Sequence, residues 1–452
     1  MRGVFAFVSS LLLIGPLASA WLGCGAKPAF SGRGPASSDA HGASSSPADA
    51  PTGTASAPEA SIPEWLVEAR AREARFDGRF VVAAEDGWFA SHLPARPEPA
   101  SVPFEEEADY AFDVDVDAVD DVSITCRVQR TASSPPELLR STSTALLESV
   151  GRAVGPIATR RIEAVTAGAI GAAPYLGIDW LFVASTDEGD VTDGLALRYA
   201  VKDEAGILCM KLGLGYAETL RAIFEQLVEG FTRTDPPPQP VFEEVVVASF
   251  AGQRLGVGRR IVRRDDEGDL QDEVLLHVLT PVGPDRTTAI TSHRYEWVDG
   301  RDLRLLNAGM TSLRDGEEVS SLALEQADDG GSLLIRGHRA GEPVEVVLPA
   351  GPTVESNLAA IARTRAALAA PDPLEEALAS RIWSDASPLA ISDATLRITA
   401  LVDAERARAV ATVGGAVVEL LLERATGQTL TSAWDVSGTP VVVERVFARG
   451  VP

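Results

Sequence analysis

Between residues 241 and 349 apolar and polar side chains alternate in run after run, and each run ends in a Gly- or Asp-rich turn. Period two is the mark of a half-buried strand. Runs at 245–250, 259–264, 272–280, 287–298, 301–310, 319–326, 333–339 and 344–348 predict about eight strands in a row, with Asp299-Gly300 as a hairpin turn between two of them. At 353–368 the period lengthens to that of a helix, with Leu358, Ile361 and Leu368 inward, and 374–383 reads as a second helix. Strands resume at 395–401, 417–424, 430–434 and 441–447. Strands, a helix pair and more strands describe an antiparallel α+β domain, and a sheet this long curls.

Residues 63–235 carry a different pattern. Pro63 opens a helix over 63–76, with Trp65, Leu66, Ala69 and Phe76 at helical spacing. A hairpin follows over 79–93, turning at Glu85-Asp86-Gly87. Asp113, Asp115 and Asp117 alternate with apolar residues, which is a solvated strand face. A calcium loop would need Gly and Glu where Ala118 and Ile124 stand. Ser134 and Glu137 have capping-box spacing before a helix whose stripe is Leu138, Leu139, Leu146 and Val150. Strands are predicted over 122–128 and 178–184. A closing hairpin at 195–212 turns over a four-residue loop at 203–206, with Val201 opposite Leu208 and Tyr199 opposite Met210. The last helix buries Tyr216, Leu220, Ile223, Phe224, Leu227 and Phe231, and 236–240 is a Pro-rich linker.

This order of elements, ending in Glu229-Gly230-Phe231, resembles the PsbP-like α/β/α sandwich. The resemblance implies an antiparallel sheet between helices and a binding or assembly module. The second region, 241–452, resembles the β-rich periplasmic domain that precedes transglutaminase-like cores, and more distantly the LolA-type half-barrel. Asp299-Gly300-Arg301-Asp302-Leu303 is similar to that domain's central hairpin, and Trp434-Asp435-Val436-Ser437-Gly438 to its closing turn. The Cys/His/Asp core of the longer relatives is missing, since no Cys follows Cys209. The fold expected is therefore α+β: an N-terminal α/β/α sandwich, then a curled antiparallel sheet with a packed helix pair at about 353–383. Two cores that do not depend on each other are expected on either side of the linker.

The first 24 residues form a targeting segment, with Arg2 before an apolar stretch too short to anchor as a span. Ala18-Ser19-Ala20 fits an ordinary signal peptidase. Trp21-Leu22-Gly23-Cys24 resembles a bacterial lipobox, with Trp where Leu or Val is usual. Residues 25–62 are dominated by Ala, Ser, Gly and Pro, too poor in bulky side chains to fold, and suit a tether. Lipidation of Cys24 would attach the protein to a membrane facing the periplasm or cell exterior, and Gly25 favours the outer membrane.

The formal net charge of −25 argues against nucleic acid as a partner. Besides Cys24 only Cys126 and Cys209 remain. The hairpin register puts Cys209 on the face opposite Met210 while Cys126 lies on the apolar face of its own strand. The expectation is two unpaired thiols, at least one of them buried. No GxSxG, HExxH, P-loop or CxxC spacing occurs, so no catalytic residue and no cofactor is assigned. His277, His293 and His338 would need three strands to converge on a metal, and none is assigned. His293, Tyr295 and Trp297 alternate onto one face of one strand. They are expected on the concave side of the curled sheet, lining a groove for an acyl chain or apolar peptide; ordinary cross-strand packing gives the same spacing. Two readings of function remain: a non-catalytic envelope lipoprotein binding an apolar ligand or protein partner, or a hydrolase or metal-dependent enzyme of unrecognised type.

Overall fold

The computed structural model describes residues 63–99, 109–117, 122–326, 332–349, 353–370, 377–385 and 387–452. The targeting segment, Cys24 and the 25–62 tether lie outside the described residues.

The first region runs α1 (Glu64–Arg70), β1 (Phe80–Ala83), β2 (Phe89–Leu93), β3 (Glu98–Pro99), β4 (Asp109–Asp117), β5 (Val122–Gln129), α2 (Pro135–Ala153), β6 (Ile157–Ile170), β7 (Ala173–Thr186), β8 (Gly189–Lys202), β9 (Ala205–Leu212), α3 (Ala217–Gly230) and β10 (Thr232–Arg233). The second runs β11 (Phe242–Phe250), β12 (Gln253–Arg264), β13 (Leu270–Gly283), β14 (Arg286–Val298), β15 (Leu305–Arg314), β16 (Glu317–Gln326), β17 (Leu333–Arg339), β18 (Glu342–Leu348), α4 (Asn357–Leu368), β19 (Ala377–Trp383), β20 (Ile391–Leu401), β21 (Arg406–Val413), β22 (Ala416–Glu423), β23 (Thr429–Val436) and β24 (Thr439–Gly450). Antiparallel sheet dominates, with four helices among the described residues, an α+β chain.

In the first region a seven-stranded sheet has the order β3-β4-β5-β9-β8-β7-β6. One face carries Ile124, Cys126, Ile207 and Cys209 against the α3 stripe of Leu220, Ile223, Phe224 and Leu227. The other carries Leu176, Ile178, Leu197, Tyr199 and Leu208 against Leu139 and Leu147 of α2. Both faces are therefore apolar, and this overturns the expectation of unpaired cysteines. That reading gave the hairpin a single apolar face, the one of Met210. The face of Cys209 is apolar too, and it is the same face as that of Cys126. The two residues stand directly opposite each other on β5 and β9 and form a disulfide, with Cα atoms 4.1 Å apart.

The closing hairpin is also tighter than expected. Asp203 and Glu204 both take positive φ, 49° and 63°, so the loop has two residues rather than four. Tyr199 then faces Leu208 and Leu197 faces Met210. The register moves by two positions and the faces are unchanged, as a period of two requires.

Helix α1 stops at Arg70, short of the expected 76. The chain leaves it so that the Glu73 carboxylate can cap α3, accepting bonds from the backbone N–H groups of Glu218 (3.1 Å) and Thr219 (2.8 Å). The capping box at Ser134 and Glu137 does not form; both side chains instead meet Thr291 of β14.

The second region is one fourteen-stranded sheet, order β18-β17-β16-β15-β14-β13-β12-β11-β24-β23-β22-β21-β20-β19. It curls around its own apolar face. Val246, Val274, Leu276 and Ile290 from one half pack with Leu396, Ala409, Leu420 and Trp434 from the other, and Leu368 of α4 lies among them. Of the second helix expected at 374–383, residues 377–383 form the edge strand β19 and 374–376 lie outside the described residues. Its Ala- and Leu-rich sequence favours a helix, but seven residues pair with β20 (Ala377 with Arg397 through Trp383 with Ile391), and tertiary pairing overrides propensity.

The two regions share a core, contrary to the expectation of independent ones. Val245, Val247, Val257, Leu279 and Ala289, on the outward side of the curled sheet, join the cluster of Leu139, Leu176, Ile178 and Leu197. The Ile162 N–H donates to the Pro284 carbonyl at 2.6 Å across the same interface.

The disulfide closes a separation of 83 residues. Replacing both cysteines (Cys126→Ala with Cys209→Ala) should cost about 2–4 kcal/mol, read as a lower urea midpoint with unchanged far-UV circular dichroism. An unchanged midpoint would show that the crosslink adds nothing to stability.

Candidate functional site

Alternation along β14 sends Ile290, Ser292, Arg294, Glu296 and Val298 inward and His293, Tyr295 and Trp297 outward. The aromatic trio does share a face, but that face is the convex one, and all three are half-buried. His293 Nε2 meets Glu273 Oε1 at 2.9 Å, and the His293 and Tyr295 ring centroids lie 6.3 Å apart. The Tyr295 ring lies over Gly309, directly across on β15, where a Cβ would come within 2.3 Å of it. His293 and Tyr295 make ordinary cross-strand contacts with β13 and β15. His338 is in the same row as His293, reached through Thr311 and Ser321. Three strand spacings, about 14 Å, separate them, so the three histidines do not converge.

Thr291 is the centre of a polar contact between the two regions. Its hydroxyl lies 3.1 Å from His277 Nδ1, 3.0 Å from Ser134 Oγ and 3.3 Å from the Glu137 carboxylate. A hydroxyl beside an imidazole invites a nucleophilic reading. Burial, with His293 nearby, pushes the His277 imidazole down to about 3, which makes it a poor base. Thr291 and His277 are both buried in the interface, where a structural latch fits better.

The concave side holds charges that the sequence reading did not find. Arg260 is fully buried and grips Asp272 with two bonds of 2.7 Å, from Nε and Nη2. Asp272 also accepts from Asn357 Nδ2 (2.9 Å) at the start of α4. Glu296 accepts from the Asn357 N–H (2.8 Å) and from Arg294 Nη2 (2.6 Å). Glu244 lies 3.7 Å from Arg260, and Asp385 lies 3.9 Å from Arg294. Burial pushes both of these carboxyls up, toward the neutral form. The sequence reading places Arg260 in the strand predicted at 259–264 and assigns it no partner. The available signal was alternation, since Arg260 shares the face of Val262.

The two ends of the sheet approach without pairing. Trp383 of β19 packs with Met310, Leu322, Leu324 and Ile335 of β15–β17. Residues 353–356 run between the ends, where Glu355 bridges Arg304 and its N–H donates to the Arg381 carbonyl at 2.8 Å. Beside this stitch is a cavity of about 440 Å³. Leu305, Leu324, Leu333, Leu348, Val354 and Ile391 supply apolar walls, and Arg304, Arg381 and Glu325 supply charge. None of His293, Tyr295 and Trp297 lines it. A second hollow, at Glu73, Phe76 and Thr219, has its helix terminus already capped by Glu73. Among the described residues no cluster of three or more His, Cys, Asp or Glu is placed to hold a metal, and no helix is long and apolar enough to cross a membrane.

No protein-family model and no curated protein matches this chain. The solved structures that overlap it in part include the following two. A β-barrel-like protein of the DUF1849 domain from Brucella abortus has 8% identity and a TM-score of 0.34, over 46% of this chain and 96% of its own. The cyanobacterial PsbP of Synechocystis sp. PCC 6803 has 10% identity and a TM-score of 0.22, over 35% of this chain and 94% of its own. Neither likeness bears on the functional reading.

The buried imidazole sets a pH dependence. Its folded value of about 3 lies below the ordinary 6.5, so the unfolded chain binds the extra proton between those limits. The stability His277 contributes is whole above pH 6.5 and is lost as pH falls toward 3, about 2 kcal/mol of it by pH 5. Glu244 and Asp385, raised in the folded state, act in the opposite sense and lose their contribution as pH rises through their folded values. His277→Gln should therefore flatten the fall in urea midpoint between pH 7 and pH 5. A slope identical to the wild type would assign the titration to another group.

Proposed function

We propose that this protein is a non-catalytic cell-envelope lipoprotein whose curled sheet is a binding scaffold, with the cavity between the sheet's ends as the site for an apolar ligand. The observation that carries the reading is the cavity itself. Its volume of about 440 Å³ lies in the range of small-molecule sites, and its composition, mostly apolar with a few charged groups, matches theirs. The His277–Thr291 contact, sealed between the two regions, gives the enzymatic alternative no support. Attachment through Cys24, with the body facing the periplasm or exterior from the outer membrane, rests on the lipobox-like sequence and the tether-like composition of 25–62.

Leu333 lines the cavity and is half-buried in β17, so a larger side chain there should fill the space without unfolding the sheet. Wild-type protein should bind a fluorescent long-chain fatty acid saturably. Leu333→Trp should weaken that binding at least about tenfold, equal to about 1.4 kcal/mol, and Trp297→Ala, on the convex face, should leave it unchanged. Absence of saturable binding by the wild type would reject the ligand site. Separately, labelled palmitate should enter the wild type in cells and not Cys24→Ser; equal labelling would reject the anchor.

A further inference from the structure

We infer that the seam cavity recognises its ligand by one aliphatic chain alone, and that the head of that ligand stays in water at a rim whose charges are already matched. This rests on the seam cavity being a ligand site and adds the chemical class of what enters it.

Each charged side chain on the cavity lining has a partner of opposite sign within the protein. Arg304 stands 3.6 Å from Asp299 and 3.9 Å from Asp302. Arg381 stands 3.8 Å from Asp393 and has a further partner. Glu325 is bonded to Arg336 at 2.6 Å. Glu355, in the segment that runs beside the cavity, is bonded to Arg363 at 2.6 Å. The other polar lining residues, Asn307 and Thr353, carry no charge. An anionic head would have to compete with aspartates for the arginines, and a cationic head with arginines for the acids. Water also reaches this rim, since Arg304 is 50% and Arg381 32% exposed. Exchanging one exposed ion pair for another changes affinity little.

The walls offer what the rim does not. Leu305, Leu324, Leu333, Leu348 and Ile391 come from five different strands, β15 to β18 and β20, and Val354 from the segment between the sheet's ends. They surround the space with aliphatic surface, against which each chain methylene gains free energy by leaving water. No aromatic side chain lines the cavity, so a flat ring finds no face to stack on. A volume of about 440 Å³ is in the lower half of the range for such sites, which suits one chain better than two. In most small-molecule sites a few polar groups orient the ligand. Here the charged groups are spent on partners within the protein, and orientation follows from the chain pointing inward and the head toward water.

Calorimetric titration of the full chain with decanol, decanoate and decylamine tests this. High salt is used, so that the long-range field of a chain of net charge −25 is screened. The three should bind within about threefold of one another. Octanol should bind about tenfold weaker than decanol, as the loss of two buried methylenes requires. Arg304→Gln and Arg381→Gln should leave all three affinities unchanged, and wild-type affinity for decanol shows that the variants are folded. Leu333→Trp should weaken all three about tenfold. Pyrene, a flat ring system about as apolar as decanol, should show no saturable binding by its fluorescence. A larger spread among the three heads, or an arginine variant that shifts decanoate against decanol, would overturn recognition by the chain alone and leave the apolar site standing. Saturable pyrene binding that Leu333→Trp abolishes would overturn the aliphatic class in the same way. Failure of all three decyl compounds to bind would overturn the site itself.

Discussion

The bidentate pair between Arg260 and Asp272 holds the second region in its working shape. Both side chains are out of solvent on the concave face, where a lone charge is very costly. Asp272 uses its second oxygen on Asn357, and Glu296 accepts the Asn357 backbone N–H. The positive end of α4 is thus seated on two carboxylates of the sheet. That seat fixes what precedes it in the chain. Ser356 Oγ donates to the Leu303 carbonyl at 2.6 Å, and Glu355 links β15 to β19. The seam cavity exists because these residues are held between the ends of the sheet. Removing one member of such a pair typically costs about 3–5 kcal/mol, since its partner is left charged and buried. Replacing both with apolar groups is often neutral or stabilising. On that physics the pair sets position more than stability.

The two regions divide the sheet between them. The strands β11 to β14 are covered on both sides, inside by α4 and the opposite half of the sheet, outside by α2, β6 and β7. A ligand has no room there. Among the described residues, the cluster around Trp383 and Val354 lies beneath β15 to β18, and this is where the cavity lies. A sheet of fourteen strands cannot stay flat. Here it curls until the edge strand β19 comes near β15 to β17, and the segment at Glu355 stitches Arg304, just before β15, to Arg381 of β19.

Alternation in the sequence identified most strands of the second region, because a sheet with one face on a core writes period two plainly. It failed where both faces are buried. The β9 hairpin has two apolar faces, so choosing one put Cys126 and Cys209 on opposite sides. In β12 the burial of Arg260 went unread, since composition does not reveal which charges have partners across a sheet. The aromatic trio was placed on a common face correctly and on the wrong side, because the direction in which a sheet curls depends on what covers it. The seam cavity was out of reach. Arg304, Leu333 and Arg381 are far apart in sequence and line one cavity only in the folded chain, which no local pattern encodes.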